Sequence, residues 1–225
     1  MYKYAFFDLD GTLTDSGPGI IDSAIVALKK FGIEIKDRKD LYPFIGPPLS
    51  ESFRDMFGLD EENVKLAIQY YREHYNVHSI FAGNSVYEGI EELLITLKEK
   101  GIKLVVATSK PAHLAIRVLD YFDLSKYFDY ISGAVANERI HKHEVIAHAL
   151  EHLQIENLDD VIMIGDRKYD VIGARQNGLK CIGVLYGGYS TLEEFIEVKA
   201  DYIINKPLEI VDIVMGEKND YSKMV

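Results

Sequence analysis

Hydrophobic and polar positions follow two rhythms along this chain. Short apolar runs at Tyr4–Phe7, Lys103–Ala107, Tyr130–Ser132, Asp160–Ile164 and Lys180–Val184, with a weaker one at Asp201–Ile204, each stop abruptly at polar or small residues. Near-continuous apolar character over so short a span is the pattern of a strand buried on both faces. Between these runs lie longer stretches, 87–100, 112–122, 142–153 and 168–177, of helical length and pattern. Regular alternation of strand and helix predicts an α/β fold, with a Rossmann-like three-layer core in which helices cover both faces of a parallel sheet.

The stretch from 15 to 80 breaks that rhythm. It contains no strand-like run and three helical segments, Gly19–Phe31, Ser50–Phe57 and Glu61–Val77. In the first, Ile20, Ala24, Ala27, Leu28 and Phe31 share one face and Gly32 supplies a stop. A stiff turn, Phe44-Ile45-Gly46-Pro47-Pro48, precedes the second. The predicted organisation is therefore a core built from 1–14 and 81–225, with a small α-helical cap domain, 15–80, inserted after the first strand. The polar tail Glu217-Lys218-Asn219-Asp220 is expected to fray.

Composition narrows the function classes. Of 225 residues, 48% are apolar and 27% charged, enough to bury a sizeable core. The formal net charge of −11 argues against nucleic acid or an anionic membrane as partner, because both reward surplus Lys and Arg. It leaves room for a small anionic substrate, since one local lysine or metal ion outweighs a distant field. Met1-Tyr2-Lys3-Tyr4 has no signal-peptide architecture, and no apolar run approaches the roughly 20 residues of a membrane span. A cytoplasmic location is the expectation. The one cysteine, Cys181, sits in a predicted buried strand and reads as an inert core thiol.

Candidate chemistry gathers at strand ends. The first strand delivers Asp8-Leu9-Asp10-Gly11-Thr12. Residues two apart on an extended chain point to the same side, so both carboxylates face one pocket, where a divalent cation relieves their repulsion. Gly11 permits a sharp turn away from the sheet. The second strand runs into Thr108-Ser109-Lys110-Pro111, offering hydroxyls and backbone N–H groups to a phosphoryl oxygen, followed by a predicted helix start at Lys110-Pro111. The fourth strand ends in Gly165-Asp166-Arg167-Lys168-Tyr169-Asp170, a second acidic loop whose hard oxygen donors suit Mg²⁺ rather than Zn²⁺. Open α/β sheets bind ligands beyond the carboxyl ends of their strands, where these loops converge. His143-Glu144-Val145-Ile146-Ala147-His148 is one residue too long for a zinc-protease motif. Five helical steps put its histidines about 140° apart.

In these motifs the chain resembles the haloacid dehalogenase superfamily, specifically its phosphatases with a helical cap after the first strand. The motifs are Asp8-Leu9-Asp10-Gly11-Thr12, Thr108 after its apolar strand, a lysine at a helix start, and Gly165-Asp166 with Asp170. Lys142 is the lysine chosen, because it precedes the helix that leads to the fourth strand. Lys110 is the alternative, and His143 stands where many relatives have proline.

The resemblance implies a role for each position. Asp8 is the nucleophile that forms an aspartyl-phosphate. Asp10 is general acid, then general base. Asp8, the Asp10 backbone carbonyl and Asp166 are the ligands of Mg²⁺. Gly11, Thr12, Thr108, Ser109 and Lys142 hold the phosphoryl group, and Asp170 orients Lys142 and the metal shell. The implied substrate is a small phosphorylated metabolite, phosphoglycolate-like or a nucleoside monophosphate. Phe44, Gly46 and Arg54 of the cap, with Ser50 and Ser52, are expected at the leaving group. A sugar phosphomutase, a pyrophosphatase and a non-catalytic phosphate-binding module remain as alternatives on the same scaffold.

Overall fold

A computed structural model describes residues 1–136 and 138–217. Lys218 to Asp220 of the expected frayed tail lie outside them. The chain forms two compact units, one built from Met1–Leu13 and the chain from Val86 onward, the other from Thr14–Ser85.

The elements in chain order begin with β1 (Tyr4–Phe7). The insert holds β2 (Thr14–Asp15), α1 (Gly17–Lys29), α2 (Leu49–Glu51) and α3 (Glu61–His74), and is followed by β3 (Ser85–Val86). The larger unit continues with α4 (Ile90–Glu99), β4 (Lys103–Pro111), α5 (Ala112–Tyr121), β5 (Tyr130–Ala134) and α6 (Lys142–His152). It ends with β6 (Val161–Gly165), α7 (Lys168–Gln176), β7 (Lys180–Val184), α8 (Leu192–Glu197), β8 (Tyr202–Ile204) and α9 (Glu209–Met215).

Six strands form one parallel sheet in the order β5-β4-β1-β6-β7-β8. The α/β class and the parallel sheet are as the alternating pattern predicts, and a helical insert follows β1. β1 is central because all four of its residues are fully apolar or aromatic and three are wholly buried, which suits a strand flanked on both sides. Phe6, Val105, Met163 and Cys181 turn to one face, where Val145, Ile146, Ala149, Val171, Ala174 and Phe195 close over them. The intervening residues Phe7, Val106, Ile164 and Ile182 are equally buried on the opposite face. Cys181 is a free, buried thiol.

The insert has its own core. Phe44 meets Phe53 edge-on with ring centroids 5.0 Å apart, and Tyr71 stacks on Tyr75 at 5.5 Å. The helices predicted at Ser50–Phe57 and Glu61–Val77 are each partly a wider turn. Ser52–Met56 and Tyr75–Ser79 have π-helical hydrogen bonding, a variation that side-chain periodicity does not reveal. β2 and β3 pair with each other as a two-stranded ribbon.

One difference bears on the site. The helix expected to start at Lys110-Pro111 begins at Ala112, and β4 runs on to Pro111. The pairing with β5 shifts register between Thr108 and Pro111, so the segment bulges before the chain leaves the sheet. Pro111 lies across from Ala134 beyond the bulge, at an irregular strand end of the kind that tolerates proline.

Candidate active site

Sheet register brings the motifs together. Phe7 lies across from Val106 on one side and from Ile164 on the other, so the residues that follow Phe7, Val106 and Ile164 emerge side by side. Asp8 still belongs to the ladder, donating its N–H to Ile164 O at 2.9 Å. Its side chain is buried, and Oδ1 accepts from Leu9 N at 2.7 Å.

Lys142 is the first residue of α6, at the positive end of a helix, where a buried cation is disfavoured unless anions face it. Two do. Its ammonium lies 2.8 Å from Asp8 Oδ1 and 2.8 Å from Asp170 Oδ1, and donates to Ala107 O at 3.1 Å. Burial alone depresses a lysine, but here the Asp170 and Asp8 carboxylates overcome it and hold Lys142 well above its ordinary range. Asp170, third in α7, reaches back with Oδ2 to Arg167 N at 3.0 Å and so caps that helix. Burial raises Asp170 to about 6, Lys142 pulling it down and Asp8 pushing it up.

Asp166 completes the cluster. One carboxylate oxygen from each of Asp8, Asp166 and Asp170 lies within 4.8 Å of the others. Thr12 Oγ1 donates to Asp166 Oδ1 at 3.3 Å, whereas Asp166 Oδ2 is buried with no hydrogen-bond partner among the described residues. Burial, then the charges of Asp170 and Asp8, push Asp166 well above the carboxylate range. A buried acid with one uncompensated oxygen, among other acids, fits a hard divalent cation. Gly11 makes this approach possible. Its φ is +86°, and a Cβ there would stand 2.1 Å from Asp166 Oδ2.

The Asp10 side chain lies in a different pairing, with Lys110. The ammonium is 2.9 Å from Oδ1 and 3.0 Å from Oδ2. Thr108 is buried, and its Oγ1 accepts from Lys110 N at 3.2 Å; Ser109 is half-buried. Four carboxylates, Asp8, Asp10, Asp166 and Asp170, thus face two ammonium groups, Lys110 and Lys142.

Phe44, Gly46 and Arg54 have roles inside the insert. Phe44 is buried against Phe53 and Tyr71, Gly46 takes a φ of +109°, and Arg54 Nη2 pairs with Glu61 Oε1 at 2.7 Å. Ser52 Oγ donates to Pro48 O at 3.4 Å. His148 and His152 share a face of α6 without a metal-like set. His152 stacks on Tyr130 at 4.0 Å, and His148 Nδ1 lies 3.3 Å from Tyr130 Oη.

Two contacts had no signal in the sequence. Tyr186 Oη, from the loop after β7, donates to Thr12 O at 2.8 Å and ties down the Asp8 loop. Arg167 is buried beside Asp166, its Nε 3.2 Å from Glu194 Oε1 of α8. No helix among the described residues is long and apolar enough to cross a membrane.

Comparison with known proteins agrees with this geometry. The family model of haloacid dehalogenase-like hydrolases matches residues 5–184. A 5'-nucleotidase of Pseudomonas aeruginosa is 42% identical over 83% of this chain and 84% of its own length. The tyrosine-protein kinase PtkA of Mycobacterium tuberculosis is 40% identical over 82% of this chain, which spans only 62% of that protein. Among solved structures, a predicted phosphatase from Clostridium acetobutylicum superposes with a TM-score of 0.92 at 46% identity, covering 96% of this chain and 99% of that one.

Proposed function

Because this chain belongs to the haloacid dehalogenase-like hydrolases, we propose that it is a magnesium-dependent phosphatase that hydrolyses a small phosphate monoester through an aspartyl-phosphate on Asp8. The observation that carries the reading is the buried trio Asp8, Asp166 and Asp170, with its orphaned Asp166 oxygen. Asp8, Asp166 and the Asp10 backbone carbonyl would hold the ion. When bound, it offsets the negative charge of the approaching ester.

The protein's own residues supply the chemistry. Asp8 attacks phosphorus, its carboxylate held in place by Leu9 N and Lys142. Asp10 gives a proton to the departing oxygen and then takes one from the water that cleaves the acyl phosphate. Lys142, with Thr108 and the backbone of the Asp8 loop, meets the phosphoryl oxygens as charge spreads over them. Asp170 keeps the Lys142 ammonium directed at the site.

A nucleoside 5'-monophosphate leads the substrate candidates, on the kinship with the 5'-nucleotidase. Phosphoglycolate follows, and Phe44, Gly46 and Arg54 of the insert are the candidate specificity residues. The kinship with a tyrosine-protein kinase favours a second reading, transfer of the phosphoryl group to an acceptor other than water. One panel tests both: phosphate release from nucleoside monophosphates, phosphoglycolate, sugar phosphates and pyrophosphate, with and without magnesium, beside ATP with a tyrosine-containing acceptor. Magnesium-dependent free phosphate from a monoester supports the phosphatase. Label appearing on the acceptor with no free phosphate supports transfer.

A further inference from the structure

Asp10 follows β1 and Lys110 lies near the end of the neighbouring strand β4, and one ammonium engages both oxygens of the carboxylate, at 2.9 and 3.0 Å. This is not a surface ion pair. The two side chains keep 14% and 4% of their accessible surface. Lys110 is itself held from the backbone, its N–H on Thr108 Oγ1 within the bulged end of β4. The division of labour is clear, because Lys142 serves Asp8 and Asp170 while Lys110 serves Asp10.

Asp10 sits beyond β1, just before Gly11, whose φ is +86°. Proton transfer to a leaving oxygen requires the carboxyl within about 2.6–3.2 Å of it. An ammonium on both of its oxygens sets the orientation of the carboxyl.

We infer that Lys110 is a positioning residue, fixing the Asp10 carboxyl for proton transfer to the leaving group. The inference rests on the proposed phosphatase reading. In the step concerned, Asp8 forms a bond to phosphorus as the ester P–O bond breaks. The electron pair of that bond passes to the leaving oxygen, which takes the Asp10 proton. Lys110 keeps its protons throughout and acts in this step through its hydrogen bonds to Asp10.

The test measures leaving-group release in a single turnover with enzyme in excess and magnesium saturating. Two esters are compared, an alkyl phosphate such as a nucleoside 5'-monophosphate, whose alkoxide needs a proton, and p-nitrophenyl phosphate, whose phenolate scarcely does. Lys110→Met slows the alkyl ester by about 100-fold and the nitrophenyl ester by less than about threefold, and Lys110→Arg restores most of the alkyl loss. Equal losses on both esters, or no loss on either, overturn the positioning role. Thermal melts check folding, and Lys110→Gln carries the same comparison if Lys110→Met does not fold. Wild-type protein that releases phosphate from no monoester of the panel above sinks the phosphatase reading and this inference with it. Active wild type beside an indifferent Lys110 variant sinks the inference alone.

Discussion

The Lys142 ammonium lies 2.8 Å from the Asp8 carboxylate, joining the start of α6 to the end of β1 across 134 positions of sequence. The pair is buried, and Asp170 shares the same cation at 2.8 Å. Removing the lysine leaves two buried acids facing each other and a third nearby. Lys142→Met is expected to lose turnover and about 3–5 kcal/mol of stability, the usual cost of stranding one side of a buried ion pair. Urea unfolding beside an activity assay checks both. Lys142→Arg is not expected to rescue, because a planar fork does not reproduce three acceptors arranged around one ammonium.

Asp8→Asn removes the proposed nucleophile and keeps the shape. Turnover is expected to fall by roughly 10³-fold or more, with the melting temperature shifted by only a few degrees. An enzyme assay beside a thermal melt reads both, and substantial activity in this variant rules out the proposed nucleophile.

Gly11→Ala tests the approach of the Asp8 loop to Asp166. The added Cβ meets Asp166 Oδ2 at 2.1 Å in a left-handed backbone, so the loop or the acid moves. The magnesium concentration for half-maximal activity is expected to rise by about 10–100-fold, in line with a disturbed ligand shell. A magnesium titration of the variant against wild type measures it.

Metal and pH are linked through the same acids. Asp166 and Asp170 are raised in the folded, metal-free protein, chiefly by burial. Raised carboxyls contribute stability that is complete below their unfolded values near 4 and is lost as pH rises through the folded values. For Asp170 that loss runs from about 4 and is complete above about 6, and for Asp166 it extends well above the ordinary carboxylate range. The metal-free protein is therefore expected to lose stability as pH climbs from about 4 past 6. Magnesium at about 100 times its Kd should raise the melting temperature by roughly 5–10 °C at neutral to mildly alkaline pH, and by less in acid. Melting scans with magnesium and with chelator across this range check the sign.

Much of the sheet was legible because its strands are buried on both faces and end in chemistry. Tyr4–Phe7 and Val161–Gly165 appear as apolar runs that stop at aspartates, and a parallel sheet then puts those ends on one edge. The short elements were not legible. β2 and β3 have two residues each and α8 has six, too few for a period to register. α9, seven residues long, escaped for the same reason. The reach of β4 to Pro111 was hidden because Lys-Pro after a strand equally suits a helix start, and only pairing with β5 decides between them.

The site was legible as a set of acids, not as a set of partners. Asp8, Asp10, Asp166 and Asp170 follow apolar runs, and a parallel sheet puts the ends of such runs on one rim. That Lys110 faces Asp10 depends on the bulge at the end of β4, and that Tyr186 secures Thr12 O depends on a loop 174 positions away. Neither leaves a local pattern. Phe44 illustrates the converse, since a conspicuous turn residue packs against Phe53 inside the insert's own core.

The central claim is a covalent phosphoryl group on Asp8. The direct measurement is mass spectrometry of the protein acid-quenched during turnover of a monoester in magnesium, with the adduct mapped by peptide. A magnesium-dependent phosphoryl adduct on the peptide carrying Asp8, absent in Asp8→Asn, is the predicted result. Turnover with no adduct there, or with the phosphoryl group on another residue, contradicts it.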